Sequence, residues 1–203
     1  AMRRPSAVLL ATLCGLANGP YQGWGAALPT IWRHLHYTNS RADLLSLASM
    51  VAYTCGCYVV GELGDRAFRG RLKLLLGLLL AAEFGSFSWL CMMLPSNFRG
   101  EPLIDTGFPS ILAAVFLTGA FVGATNPISM EFLAEVTYPA HEGVSGNVVI
   151  FLTQVFTMIV LAGAPHLDPL ATTPVMALII LLCGLLLLPV ESQYLRSAAE
   201  GSL

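Results

Sequence analysis

Six long apolar stretches constrain the fold of this chain more than any other feature of its sequence. A helix that spans a bilayer needs about 20 mostly apolar residues. Such runs cover roughly residues 7–32, 42–63, 72–94, 109–133, 144–164 and 174–189. Only 11% of the residues are charged and the mean hydropathy is +0.72, whereas a soluble domain carries about 25% charged residues. We therefore predict an all-α integral membrane protein with six transmembrane helices in a single bundle.

No pattern of catalytic or metal-ligating residues accompanies these stretches. The five cysteines include Cys14, Cys91 and Cys183 inside apolar runs, and Cys55-Gly56-Cys57 lacks the two-residue gap of common zinc sites. The sequence shows no phosphate-binding loop and no nucleophile–base arrangement, so we expect no cofactor, no metal and no enzymatic activity. The net charge of −2 offers no basic surface for nucleic acid.

The distribution of basic residues predicts the orientation of the chain in the bilayer. If the N-terminus is cytoplasmic, seven of the ten basic residues lie on the cytoplasmic side, namely Arg3, Arg4, Arg66, Arg69, Arg71, Lys73 and Arg196. The other side holds Arg33, Arg41 and Arg99. Because cytoplasmic loops are enriched in Lys and Arg, we predict that both termini are cytoplasmic.

Six spans with both ends on one side correspond to half of a major facilitator transporter. Such proteins have two six-span halves, each built from two inverted three-helix repeats. We therefore expect a fragment of a twelve-span transporter, whose partner in the bilayer is a missing N-terminal half or a second copy. Gly61-x-x-x-Asp65-Arg66 followed by Gly70-Arg71 resembles the superfamily's loop motif, with two extra residues before Gly70. The alternative is a positively charged loop that only fixes topology.

A more specific resemblance is carried by Glu131-x-x-x-Glu135-Val136-Thr137-Tyr138-Pro139-x-x-Glu142-Gly143. This segment resembles the sequence before the eleventh helix in solute carrier family 49. Similarity to its disrupted-in-renal-carcinoma branch extends to Phe68-Arg69-Gly70-x-Leu72-Lys73-Leu74, Gly23-Trp24 and Glu191-Ser192-x-Tyr194, whereas Gln154 is more similar to the feline leukaemia virus receptor branch. The first branch implies a lysosomal, proton-driven carrier of pyridoxine, and the second implies transport of haem or choline. A non-transporting six-span receptor or scaffold is the alternative from another class.

Polar residues in spans one, four and five predict a solute site. Asn18-Gly19-Pro20 predicts a helix break near the midplane, where broken transporter helices bind their solutes. We expect a flat or cationic solute that stacks on aromatic rings, with Trp24 and Gln154 facing one cavity. The alternative is that the amides only bond neighbouring helices. The candidate solute-binding residues are Asn18, Tyr21, Gln22, Trp24, Asn126, Asn147 and Gln154.

Charged residues at the cytoplasmic end of the bundle predict a gate. Glu131 and Glu135 are four residues apart, so they share a helical face. We expect them to latch onto the short loop between spans two and three; the alternative is a purely structural salt-bridge network. The candidate gating residues are Asp65, Arg66, Arg71, Glu131, Glu135 and Glu142.

Two features of spans three and six complete the prediction. Glu83 follows Lys73 by ten residues, so it lies about 15 Å into the bilayer by the helical rise of 1.5 Å per residue. A carboxylate at that depth is costly and indicates a function, so Glu83 is the candidate for proton coupling. The alternative is a neutral, hydrogen-bonded glutamate that faces its own bundle.

Residues 176–188 of span six carry only aliphatic side chains, Met, Cys and Gly, which predicts contact with lipid.

Overall fold

The chain is described by a computed structural model for residues 5–35, 37–67, 71–95, 101–104, 106–163, 166 and 169–191, except for the side chains at 63–67 and 169–170. These residues form six helices and no strand. The helices are α1 Pro5–His34, α2 Asn39–Ala67, α3 Leu72–Met93, α4 Phe108–Thr137, α5 Glu142–Gly163 and α6 Pro169–Leu187. The predicted all-α class with six helices is confirmed, and each predicted span falls on one helix.

Four helical segments of the described chain are long and apolar enough to cross a membrane, namely Asn39–Glu62, Leu72–Met93, Phe108–Thr137 and Glu142–Gly163. The apolar part of α6, Ala171–Leu187, is shorter. The first helix has 30 residues, but its glycines, prolines and amides make it less apolar. Membrane crossing by α1 and α6 stays a prediction, which their packing against the other four helices supports.

The helices pack in pairs that repeat within the chain. Helix α2 packs on α4 and α1 packs on α5, while α3 packs on α4 and α6 packs on α1. If α1, α2 and α3 are exchanged for α4, α5 and α6, the α2–α4 pair becomes the α5–α1 pair. In the same way, the α3–α4 pair becomes the α6–α1 pair. This is the relation expected of two inverted three-helix repeats, and it places α1 and α4 at the centre of the bundle.

Glycines allow close packing in two of these helix pairs, α2 with α4 and α1 with α5. A Cβ atom at Gly123 of α4 would collide with the Tyr53 carbonyl of α2, and one at Gly19 of α1 would collide with the Thr153 carbonyl of α5. Small residues serve this purpose at helix interfaces in membranes. A buried hydroxyl adds to the second contact, because Thr157 Oγ1 donates to the Gly19 carbonyl over 2.9 Å.

The prolines do not interrupt the helices in the way the sequence suggested. Helix α1 runs continuously through Pro20 and Pro29, so the predicted break at Gly19-Pro20 is wrong. A proline removes one backbone hydrogen bond, and the packing of Gly19 on α5 supports the helix at that point. Helix α6 begins at Pro169 rather than near Pro174, since proline is also well suited to the first helical position.

Helix α6 presents two different faces, which corrects the prediction that all of residues 176–188 contact lipid. Leu178, Leu182 and Leu185 are exposed and are available to lipid. Ile180 and Cys183 are buried against the bundle, because α6 packs on α1 and α3. Uniform apolarity of the sequence could not distinguish these two faces.

Lys73 joins the beginning of α3 to the end of α6. Its Nζ donates to the Leu188 carbonyl over 3.0 Å and to the Val190 carbonyl over 2.6 Å. Carbonyl groups at a helix C-terminus lack intrahelical donors, and a cation there also interacts favourably with the helix dipole. The sequence suggested only a topological role for this residue.

We expect Lys73→Met to lower the free energy of unfolding by about 1–3 kcal/mol, because hydrogen bonds from a charged group contribute about 1.5–3 kcal/mol. Lys73→Arg should retain much of the stability, since it keeps the charge and the donors. The measurement is thermal unfolding in detergent. Leu74→Met is the matched control, because Leu74 is the exposed neighbour on the same helix. An unchanged midpoint in Lys73→Met would exclude this stabilising role.

Candidate solute-binding site

A cleft of about 580 Å³ opens between α1 and α2. Its polar lining comes from Tyr21 and Gln22 of α1 and from Ser46, Ser49, Tyr53 and Thr54 of α2. None of the described residues that line it is charged. Sites for small organic ligands typically measure about 300–1,000 Å³ and combine apolar walls with a few placed polar groups. The cleft has the size and the chemistry for such a ligand.

Two tyrosines form an aromatic wall of this cleft. The rings of Tyr21 and Tyr53 are stacked, with centroids 5.8 Å apart and planes 12° apart. The Tyr21 hydroxyl lies 2.6 Å from Ser49 Oγ. The Tyr53 hydroxyl accepts a hydrogen bond from Asn126 Nδ2 over 3.2 Å. Side chains from α1, α2 and α4 thus hold the two rings in place.

Trp24 lies behind this wall rather than in it, since only 1% of its surface is exposed. Its ring contacts Tyr21 at 5.8 Å and meets Phe87 edge-on at 5.3 Å. Its Nε1 donates to Thr173 Oγ1 over 3.4 Å. The indole therefore points toward α3 and α6, and a solute in the cleft does not reach it in this arrangement.

The two amide residues of α5 lie away from the cleft. Asn147 and Gln154 are both exposed, and Gln154 contributes to a shallow depression formed by α5 alone. The structure does not bring Trp24 and Gln154 to one cavity, contrary to the prediction, because the indole is turned into the bundle. A second six-helix unit would be needed to place Gln154 in an enclosed site.

Asn18 also points into the bundle. It is 4% exposed, and its Nδ2 donates to the Cys14 carbonyl of the same helix over 3.1 Å. Its Oδ1 is buried and has no hydrogen-bond partner among the described residues. Of the seven predicted solute-binding residues, Tyr21 and Gln22 line the cleft. Asn126 does not line it but donates a hydrogen bond to Tyr53, which does.

Glu83 is completely buried between α3 and α4. Its Oε2 accepts a hydrogen bond from Thr125 Oγ1 over 3.2 Å. Its Oε1 is buried without a hydrogen-bond partner in the described part of the chain. The carboxyl group faces its own bundle, as the structural alternative predicted. A role in proton coupling is compatible with this position and stays a prediction.

The predicted gate is only partly described. Glu131 is half-buried, Glu135 is 4% exposed and Glu142 is exposed at the start of α5, and each has an interaction partner. Arg71 is exposed immediately before α3. The side chains of Asp65 and Arg66, and all of Arg69, lie outside the described residues. The latch between these groups therefore stays a prediction.

Sequence reasoning missed the contribution of α2 to the site. Ser46, Ser49 and Tyr53 follow one another at intervals of three and four residues, which places them on one helical face. This spacing was the available signal. Hydroxyl-bearing residues are common in membrane helices, so this spacing alone does not distinguish a site from ordinary helix packing.

The comparisons with known proteins concern the family and the fold of the chain. The sequence matches no protein-family model. It is 31% identical over 157 residues to proteins named solute carrier family 49 member 4 homolog from Xenopus tropicalis and Xenopus laevis. That region covers 76% of this chain and 33% of each relative, so the chain spans about a third of the length of the curated relatives it matches.

Among solved structures, a D-xylose-proton symporter is similar in fold, with a TM-score of 0.58 and 18% sequence identity. The likeness covers 97% of this chain and 50% of the symporter chain. The chain thus has the six-helix, multi-pass fold of one half of a major facilitator membrane transporter. The resemblance to solute carrier family 49 that its motifs indicated is confirmed by the two relatives.

Proposed function

We propose that this chain forms one half of a secondary-active transporter that moves a small organic solute by alternating access. The observation that carries the proposal is the uncharged aromatic cleft between α1 and α2, within a fold whose helix pairing repeats between α1–α3 and α4–α6. Transporters of this architecture bind their solutes near the midplane and rock two units around that site. A second six-helix unit, either an N-terminal half or a second copy, would complete the cavity in the bilayer.

The favoured solute is a vitamin of the pyridoxine type. Its flat pyridine ring suits stacking against the Tyr21–Tyr53 wall, and its hydroxyl groups suit the exposed amide of Gln22. Transport of choline or haem is the alternative, because aromatic faces also attract organic cations and Gln154 resembles the branch with those solutes. If no solute moves, a six-span receptor or scaffold is the remaining candidate.

Three further features belong to the same proposal. Glu83 couples transport to protons, because it is the one described carboxyl group of the spans that is fully buried and intramembrane carboxyl groups are common in proton relays. The transporter lies in the lysosomal membrane rather than the plasma membrane. Both termini face the cytoplasm, as the basic residues indicate.

Direct binding to the purified full-length protein tests the proposed solute. Radiolabelled pyridoxine and choline should be offered separately, with the unlabelled compound as competitor. Saturable pyridoxine binding that excess choline does not displace supports the proposal. Choline binding without pyridoxine binding would transfer the assignment to the alternative, and so would binding of haem in a parallel assay. Binding of none of the three would favour a receptor or scaffold.

The gate residues provide a prediction about rates. In the full-length transporter, Glu131→Gln should change the transport rate at least several-fold and leave the equilibrium affinity for the solute within about two-fold. The reason is that a latch at the end of α4 controls exchange between conformations and does not touch the solute. The measurement combines initial uptake rates with equilibrium binding. Glu101→Gln, at an exposed position of the opposite loop, is the control. Lost affinity at an unchanged maximal rate would contradict the latch.

A further inference from the structure

Tyr53 and Asn126 form a hydrogen-bonded pair whose members differ in their access to the cleft. Tyr53 lines the cleft, whereas Asn126 does not. Asn126 Nδ2 donates to the Tyr53 hydroxyl oxygen over 3.2 Å. A phenol both accepts and donates hydrogen bonds. The hydrogen bond from Asn126 occupies an acceptor site of the Tyr53 hydroxyl oxygen. The hydroxyl proton of Tyr53 can therefore still be donated to another group.

The neighbour that competes for this proton is a weak one. Cys57 lies one helical turn beyond Tyr53 on the same face of α2, and its thiol donates to the Gly123 carbonyl over 3.0 Å. Thiol sulfur is a poor acceptor compared with oxygen or nitrogen. An oxygen or nitrogen atom of a bound solute would therefore take the proton in preference to Cys57.

The Tyr53 ring is also fixed before any solute arrives. One face stacks on Tyr21, and that ring is in turn held by its contact with Trp24 and by the 2.6 Å approach of its hydroxyl to Ser49. A donor that is already held in place loses little conformational entropy on binding. This arrangement is typical of groups that select between ligands.

We infer that Tyr53 is a specificity-determining residue of the solute site and that Asn126 is a positioning residue acting through it. Tyr53 donates its hydroxyl proton to an acceptor atom on a planar solute, such as a pyridine nitrogen or a ring hydroxyl oxygen. A quaternary ammonium nitrogen is not an acceptor, and the hydroxyl oxygen of choline lies on a flexible chain rather than on a planar ring. The inference rests on the proposed function and replaces the direct contact with solute that the sequence suggested for Asn126.

Equilibrium binding of radiolabelled pyridoxine to the purified full-length protein tests this assignment. Tyr53→Phe keeps the stacked ring and removes the donor, so the affinity should fall about three- to ten-fold, which is the loss of one hydrogen bond. Tyr58→Phe is the matched control, because Tyr58 lies on the same helix, is 77% exposed and is not part of the cleft. The Tyr58→Phe protein should bind pyridoxine with the affinity of the wild type.

Asn126→Ala separates the two roles and serves as a second variant if Tyr53→Phe does not fold. It should weaken binding in the wild-type background and cause no further loss in the Tyr53→Phe background, with thermal unfolding confirming that each protein is folded. Wild-type affinity in a folded Tyr53→Phe protein would overturn the role of Tyr53. An additional loss from Asn126→Ala in that background would overturn the positioning role. Absence of pyridoxine binding by the wild type would instead remove the proposed solute, and this inference with it.

Discussion

Gly123→Leu should prevent the six-helix bundle from assembling. A Cβ at this position collides with the Tyr53 carbonyl, which is backbone and cannot move aside as a side chain can. Helices α2 and α4 would have to separate, and the Asn126–Tyr53 hydrogen bond and the Cys57 contact would be lost. Overpacking of a core commonly costs about 1–3 kcal/mol, and a whole leucine side chain between two backbones should reach or exceed that range.

The matched control for this prediction is Gly85→Leu. Gly85 lies on α3, is exposed, and a Cβ there meets no atom within 4 Å. We expect Gly85→Leu to yield monodisperse protein in detergent at wild-type amounts, whereas Gly123→Leu should yield aggregate or no protein. Size-exclusion profiles of both variants, followed by thermal unfolding, provide the comparison. Wild-type behaviour of Gly123→Leu would show that α2 and α4 do not approach as closely as described.

Glu83→Gln should reduce proton-driven transport at least ten-fold while leaving the protein folded. Glutamine has nearly the same volume and can keep the hydrogen bond from Thr125, but it cannot take up or release a proton. If Glu83 carries the coupled proton, uptake driven by a pH gradient should collapse, and exchange of labelled for unlabelled solute without a gradient should persist. The measurement is uptake into proteoliposomes with and without the gradient.

Two results would assign Glu83 a purely structural role. One is an unchanged response of Glu83→Gln to the pH gradient. The other is an equal loss of gradient-driven uptake and of solute exchange, since that pattern indicates damage to the whole site rather than to coupling. Glu101→Gln again serves as the control, because it removes an exposed carboxyl group between α3 and α4.

The general architecture was predictable from the sequence because long apolar runs leave few alternatives in a bilayer. All backbone groups must be satisfied within each span, so each run becomes a helix whose ends lie near the first polar or proline residue. The exceptions are instructive. Pro20 was expected to interrupt α1, and Pro174 was expected to begin α6. Packing against neighbouring helices overrides the local preference of a single proline.

The candidate site was only partly predictable, because the direction of a side chain depends on helix rotation. Tyr21 and Gln22 reach the cleft, whereas Trp24, two or three residues further along α1, is turned into the core against Phe87. The glycines of α1 determine the rotation of this helix, because the face that carries them packs against α5. The sequence places these residues near one another but does not indicate which of them line the cavity and which support it.

Flux of radiolabelled pyridoxine through the full-length protein in proteoliposomes tests the central proposal most directly. We expect saturable uptake that unlabelled pyridoxine on the opposite side accelerates, since alternating access exchanges one solute for another. Choline and haem should be assayed in parallel, and protein-free liposomes give the background. Uptake of choline or haem alone would reassign the solute. Protein that is folded and correctly inserted but moves none of the three compounds above background would contradict the account.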